Sequence, residues 1–367
     1  SSYGSVAGSS PCPACTGLNS GIAPPNFTNA ATHIHYPTYE EWSLQVQHQF
    51  ARGTSVMVGY VGNHGYHEPV QNTGANAFAP HSFVGLPAAA PAGGLGTVNE
   101  IYSPASSNYN GFEASIQHRT KYLTAQLNYT WSHALDEVSN GGISPFGFGS
   151  GLVANQIDPY NLRYNYGNAD YDSRHVINGN YLITVPYWGG PKLATDGWQL
   201  SGTVFFNTGY PFSVMDSATA PIANGWNYNS VVAGIPAQVS GESGHRCGKS
   251  GASGTVCHGL ASATVMPATG FFQQGRNQFL GPHYFDTDFA VTKTIPIPHW
   301  EGATFKVGAQ FYNILNHPNF SQPSADANAV GFGTITSMAN PPTSIFGSFL
   351  GGDAAPRIIQ FKGAISF

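Results

Sequence analysis

PRIIQFKGAISF, residues 356–367, sets Ile359, Phe361, Gly363, Ile365 and Phe367 on one side of the chain and Gln360, Lys362, Ala364 and Ser366 on the other. Strict alternation of apolar and polar side chains is the signature of a β-strand with one face in an apolar medium. Chain ends usually fray into polar coil, so whatever covers this strand is expected to cover Phe367 as well. The pattern recurs. YLTAQLNYTWS (122–132) sets Leu123, Ala125, Leu127, Tyr129 and Trp131 against Thr124, Gln126, Asn128, Thr130 and Ser132. WSLQVQHQF (42–50) and residues 304–312 alternate in the same way, and 54–62, 109–119, 176–185, 198–207 and 284–293 do so less regularly. These readings predict nine antiparallel strands in simple up-and-down order, near 39–51, 54–63, 109–119, 121–133, 174–186, 197–208, 283–294, 302–314 and 356–367.

The connections sort into two kinds. Short ones are read at 51–54, 119–121, 187–197 and 295–302, and long Gly/Pro/Asn-rich ones at about 63–108, 133–173, 208–283 and 313–355. Short and long alternate along the chain. A compact soluble domain rarely tolerates one structureless loop beyond about 15 residues. Four at the same end of successive hairpins, with strands of the roughly 9–11 residues that cross a bilayer at a tilt, match a transmembrane barrel with tight turns inside and long loops outside. On that orientation Trp42 and Trp131 fall near the outer strand ends and Trp188, Trp198 and Trp300 near the turns, where interfacial belts belong. Phe367 is expected in the inner aromatic girdle. Residues 1–38 read as an extracellular loop segment and 39–367 as barrel.

Composition agrees. Charged residues are 8% of 367, about a third of the usual share, while aromatics reach 13%, with 45 glycines and 26 prolines. The abundance of tyrosine and phenylalanine argues against disorder. A net charge of −5 without a basic stripe excludes a nucleic-acid footprint. The mean hydropathy of −0.16 does not exclude the membrane, because a barrel hides its apolar surface in alternate residues. A solvated sheet face would carry more Lys and Glu than the Gln, Asn, Thr and Ser found here, which suit the wall of a wet lumen. A soluble β-sandwich, a propeller or a secreted adhesin would share the strands and the loops.

GRNQFLGPHYFDTDFAVTKTIPI (275–297), FKVGAQFYNILNHPNF (305–320) and the terminal phenylalanine resemble the C-terminal barrel of Oar-like TonB-dependent receptors. EWSLQVQHQF with GYVGNHG, YNGFEASIQHR with LTAQLNYTWSHALDE, YNYGNADYDSRHVINGNYLITVPY and FFNTGYPFSV extend the likeness over most of 39–367. The resemblance implies a 22-stranded barrel with an N-terminal plug and an energy-coupling box, neither visible in these 367 residues. It therefore implies an all-β antiparallel up-and-down transmembrane β-barrel that is partial, about nine strands of a larger one, whose first and last strands either stay as open edges or curl together into a narrower, strained closure. Partners implied are outer-membrane lipid, the missing plug and strands, the barrel assembly machinery that recognises a terminal aromatic strand (Ile359, Phe361, Ile365, Phe367), and an inner-membrane energy-coupling complex. The expected place is the outer membrane of a Gram-negative bacterium, and the expected task is uptake of a ligand bound by the outer loops. A passive porin, an adhesion barrel and a secreted carbohydrate-binding protein are the rivals.

Candidate chemistry is sparse. Asp170, Asp172, Arg174 and His175, in YGNADYDSRH, form the densest charged cluster, placed either to meet a solute at the mouth or to brace the loop against the rim. Asp286 and Asp288 have the spacing of a carboxylate pair but read as lumen-lining acids. Cys12/Cys15 and Cys247/Cys257 are two local pairs, which fit disulfides made in an oxidising compartment. His245 and His258 beside the second pair make a zinc set conceivable, but a Gly/Ser loop offers little to orient ligands. His33/His35 and His64/His67 have metal-like spacing without a carboxylate nearby. No catalytic constellation, cofactor motif or metal set is expected, and the chain is read as a non-enzyme.

Overall fold

Alternation at nine places becomes nine long strands. They are β1 (Thr38–Phe50), β2 (Thr54–Asn72), β3 (Val98–Arg119), β4 (Leu123–Asp136), β5 (His175–Thr184), β6 (Trp198–Asn207), β7 (Tyr284–Pro296), β8 (Thr304–Tyr312) and β9 (Ile358–Ser366). The computed structural model describes residues 26–50, 53–72, 75–76, 78, 87, 96, 98–139, 161–214, 238–239, 247–249, 255–257, 265–266, 276–300, 302–326, 329–339 and 356–367. Each long strand pairs antiparallel with its neighbour in sequence, from β1 through to β9. Among the described residues β1 and β9 are not paired with each other, so the sheet is open.

The registers bring the alternating apolar positions of successive strands onto one face. Leu44 lies opposite Tyr60, Tyr60 opposite Phe112, Phe112 opposite Trp131 and Trp131 opposite His175. Further round, Ile183 faces Leu200, Leu200 faces Val291, Val291 faces Ala309 and Ala309 faces Phe361. Directly opposed residues point to the same side of an antiparallel sheet, so one apolar surface runs unbroken from β1 to β9. Leu44, Ile116, Leu127, Trp131, Phe361 and Phe367 on it are exposed, as lipid-facing side chains must be. The opposite face is polar and self-bonded. The Asn128 carbonyl oxygen accepts from Ser115 Oγ (2.8 Å) and Gln126 Nε2 (3.1 Å), and Asn128 Nδ2 donates to Asn178 Oδ1 (2.8 Å).

The four short connections lie together at one end. Gly53 turns β1 into β2 at φ +76°, a region that favours glycine. Thr120 closes the β3–β4 turn by accepting from Leu123 N at Oγ1 (3.0 Å). Between β5 and β6 one helical turn, Lys192–Thr195, presents the Ala194 carbonyl to both Trp198 Nε1 (2.7 Å) and Lys293 Nζ (3.2 Å). Lys293 sits on the apolar register opposite Trp198. Its ammonium lies over that ring, 4.9 Å from the centroid, and bonds turn carbonyls, including that of Asp196. A cation on a lipid-facing strand is thereby drawn to the interface. Phe367 stacks on Trp300, centroids 6.0 Å apart and planes 6° from parallel. The aromatic cluster expected at this end is there.

At the opposite end β2 and β3 run well beyond the lengths that alternation predicts, to Asn72 and from Val98. Phe27–Ala30 adds a short strand parallel to Val98–Ile101, an element the sequence pattern did not mark.

Candidate functional site

Among the described residues of a chain with 13 lysines and arginines in all, Arg276 lies in the interior of the long-connection end. Arg276 is 6% exposed. Its guanidinium pairs with Asp136 and also donates to the Asn168 carbonyl (3.1 Å) and to the carbonyls of Asp136 and Glu137 (3.3 Å each). Asn277 follows in the left-handed region at φ +56°, which asparagine tolerates better than most residues. Its side-chain amide donates to Asp170 Oδ1 (2.7 Å) and the Asn168 carbonyl (2.8 Å), and its backbone N–H donates to Ser213 Oγ (2.8 Å). Ser139 Oγ donates to Asp136 Oδ2 (2.7 Å) and accepts from Asp170 N (3.0 Å).

Two small pairings fix the segments that supply these groups. Leu135 and Asp136 pair with Asn168 and Gly167, and Phe212 pairs with Phe279, their rings 5.6 Å apart and buried. A third connection joins through Gln322 Nε2, which donates to the carbonyls of Tyr210 (3.2 Å) and Pro211 (3.3 Å). Arg276 is thus the centre of a buried latch that ties three long connections together.

The sequence-derived cluster is partly assembled there. Asp172 accepts from Arg174 Nε (2.7 Å) and from Ala134 N (2.7 Å), while Arg174 Nη2 donates to Asn168 Oδ1 (3.0 Å) and lies 2.6 Å from His133 Nε2. Asp170 lies deeper, against Asn277. His175 is not part of the group. It occupies the apolar face, stacked on Trp131 with its Nδ1 2.9 Å from the Tyr129 hydroxyl. Bracing is the role these contacts fit for Asp172 and Arg174. Asp288 accepts from Asn313 N (3.0 Å), whereas Asp286 Oδ1 is buried without a partner; the two acids hold no common group. His35 and His67 stack on each other at 4.7 Å. Among the described residues no set of three His, Cys, Asp or Glu side chains could hold a metal ion.

Arg276, Asp136 and Asn277 escaped sequence reading because their pairing spans about 140 residues. The available signal was economy, since an Arg-Asn dipeptide in so uncharged a chain asks for a buried acid.

Electrostatics make the latch pH-sensitive. Burial pushes the Asp170 carboxyl up to about 7, against the lowering pull of Arg276 and of the Asn277 hydrogen bond, with Asp136 adding to the rise. One arginine neutralises one acid, and Asp170 is the second. For Arg276, burial lowers the pKa and the facing Asp136 and Asp170 raise it by more. A carboxyl whose folded pKa lies above its unfolded value keeps its proton when the unfolded chain has lost it. Stability therefore falls as pH rises from about 4 to about 7 and then levels off. Asp170→Asn, which keeps the acceptor for Asn277, is expected to flatten that slope and to strengthen the latch at pH 8. Hydrogen-exchange protection of residues 165–172 measured from pH 5 to 8, corrected for intrinsic rates, reads this out. An unchanged slope in the variant would clear Asp170 of the effect.

Beside the latch, on the polar face, the ends of β1 to β4 enclose a cavity of about 440 Å³ lined by Tyr39, Glu68, Ser107, Asp136 and Tyr171, with Val70, Ala105 and Val138 as its apolar floor.

The family model described as outer membrane beta barrel domain matches residues 2–360. Among solved structures, the outer membrane transporter YddB from Escherichia coli aligns with a TM-score of 0.44 at 10% identity, over 86% of this chain and 33% of that one. The chain thus spans about a third of the length of that transporter. No curated protein matches in sequence.

Proposed function

The chain belongs to the outer membrane β-barrel domain family, and from that premise we propose that it is barrel from a TonB-dependent, Oar-like receptor that binds a ligand at its outer loops for uptake. Its place is the outer membrane of a Gram-negative bacterium. The long connections face outward and the short turns face the periplasm, as is usual for such barrels. The observation that carries the reading is the Arg276 latch. A passive pore needs no fixed cap over its polar face, whereas a receptor needs a rigid, shaped mouth, and buried charge pairs are a means of fixing one arrangement. The motifs at 275–297 and 305–320, which resemble Oar-like receptors, support the finer assignment. On this reading the chain performs no catalysis and needs no cofactor. Its partners are lipid, the barrel assembly machinery, a plug with its upstream strands, and the inner-membrane coupling complex.

A genetic comparison tests it. Under conditions where loss of this gene slows growth, loss of the inner-membrane coupling protein should slow growth too, and the double mutant should fare no worse than the coupling mutant. Steady ion conductance of the purified full-length protein in planar bilayers, with growth indifferent to the coupling protein, would instead indicate a passive porin.

The cysteines belong to the same outward-facing reading. Residues 247–249 pair antiparallel with 255–257, with Cys247 directly opposite Cys257. Cys12 and Cys15 lie outside the described residues. Thiol labelling of the natively exported protein is expected to find no reactive cysteine before reduction. Two reactive thiols per pair without reductant, or stoichiometric zinc, would contradict the disulfides.

A further inference from the structure

The cavity beside the latch owes its chemistry to a defect in the β2–β3 ladder. Down to Tyr66–Ser106 the pairing is regular. Glu68 then pairs with Ala105 and Val70 with Tyr102, so His67 is an extra residue on one strand, compensated two steps later on the other. His67 takes φ +58°, a left-handed conformation uncommon for a residue with a Cβ. It is held there by stacking on His35 and by an edge contact with Tyr66. Bulges re-aim side chains, and local strain clusters where a site requires it. Here the bulge exchanges His67 for Glu68 on the polar face. Ser107, which shares that face with Ala105, donates to Glu68 Oε1 at 2.7 Å, and Tyr39 lines the cavity with it.

Of the acids near the latch, Asp136 pairs with Arg276 and Asp172 with Arg174, whereas Asp170 and Glu137 do not line the cavity; Glu68 does. Among the described residues no lysine, arginine or histidine forms an ion pair with Glu68. Burial raises the Tyr171 hydroxyl, Asp136 and Glu68 raise it further, and Arg276, already paired with Asp136, lowers it. Gly65 lets the Glu68, Ser107 and Tyr39 side chains converge over its backbone. A Cβ there would strike the Glu68 carboxylate and come within 2.6 Å of Ser107 Oγ and 2.9 Å of Tyr39 Cε1.

We propose that this cavity binds a small organic cation, a primary ammonium on a short aromatic or apolar stem, with Glu68 as counter-charge and Tyr39 and Tyr171 as walls. An ammonium supplies the missing positive charge, and tyrosine faces attract cations. The volume lies within the ordinary range of small-molecule sites, about 300–1,000 Å³. A neutral sugar would use the same hydroxyls but leave the Glu68 charge without a partner, so the cation is favoured.

The inference rests on the receptor reading only in placing the cavity at the outer mouth. Binding is measured on purified protein without uptake, so its failure and a failure of energy coupling are separate results. Full-length protein, purified in detergent from outer membranes, is titrated calorimetrically with tyramine, with tyrosol (its neutral alcohol counterpart) and with maltose. Tyramine is expected to bind at least ten-fold tighter than tyrosol and not to be displaced by maltose. Glu68→Gln should bring tyramine down to the tyrosol level, and Gly65→Ala should abolish binding of both. Equal binding of amine and alcohol by the wild-type protein, no heat from tyramine at millimolar concentration, or displacement by maltose would overturn the proposal without recourse to any variant.

Discussion

Arg276→Met is expected to release the long-connection end of the molecule while leaving the nine-stranded sheet intact. Removing one partner of a buried charge pair strands the other, at a cost of about 3–5 kcal/mol. Asp136 would keep only Ser139 as a side-chain donor, and the carbonyls of Asp136, Glu137 and Asn168 would lose the guanidinium that now serves all three. The cost falls on local opening rather than global unfolding, because the latch lies beyond the strands that carry the membrane face. Amide protection at 165–172 and 276–280 should drop by roughly two to three orders of magnitude, each ten-fold corresponding to about 1.4 kcal/mol. Protection within β4 to β8 should hold. Adding Asp136→Leu to the first change should restore part of the loss, since the stranded charge is then gone. Protection unchanged in the single variant would mean that the latch is a contact without energetic weight.

Phe361→Lys is expected to block stable insertion, whereas Gln360→Lys, one residue away, should be tolerated. Phe361 is 81% exposed in the middle of β9, opposite Ala309 on the apolar face. A lysine at the bilayer midplane of a barrel costs about 2–4 kcal/mol, while lumen positions accept charge. Gln360 lies opposite Gln310 on the polar face, where Tyr312 already bonds both amides. The same contrast at the strand end, Phe367→Asp against Ser366→Asp, should be weaker in lipid cost because it lies near the interface, but it also removes the stack on Trp300. Heat-modifiable mobility and folded yield in outer membranes measure both pairs. Equal yields for Phe361→Lys and Gln360→Lys would show that the two faces have been assigned the wrong way round.

The strands were legible because their information is local. Leu123 to Ser132 states its own face in ten residues, and β9 does so in nine. Beyond His64 the message in β2 is broken by the extra residue His67, which inverts the parity, and by Pro69, so GNHGYHEPVQN did not read as the strand it is. The parallel strand Phe27–Ala30 has too few residues to show any period. Of the charged cluster, Asp172 and Arg174 were near enough in sequence to be recognised as partners. The same proximity misgrouped His175, whose strand position turns it to the aromatic face. Arg276 and Asp136 meet only after the chain has passed through β5 and β6 and a long connection, and no short-range pattern encodes that meeting.

The unbroken apolar face has a consequence for how genes of this kind can vary. Because facing alternates with every residue, a strand carries an odd-or-even label that its neighbours share through the ladder. Inserting one codon inside β5 would invert the label of everything after it until a bulge or a turn absorbed the change, setting Asn and Gln against lipid. Inserting ten codons into the connection between β6 and β7 would leave every label unchanged. Length variation among relatives should therefore collect almost entirely at one rim. Deletions within strands should survive mainly in even numbers, or beside a compensating bulge such as the one at His67.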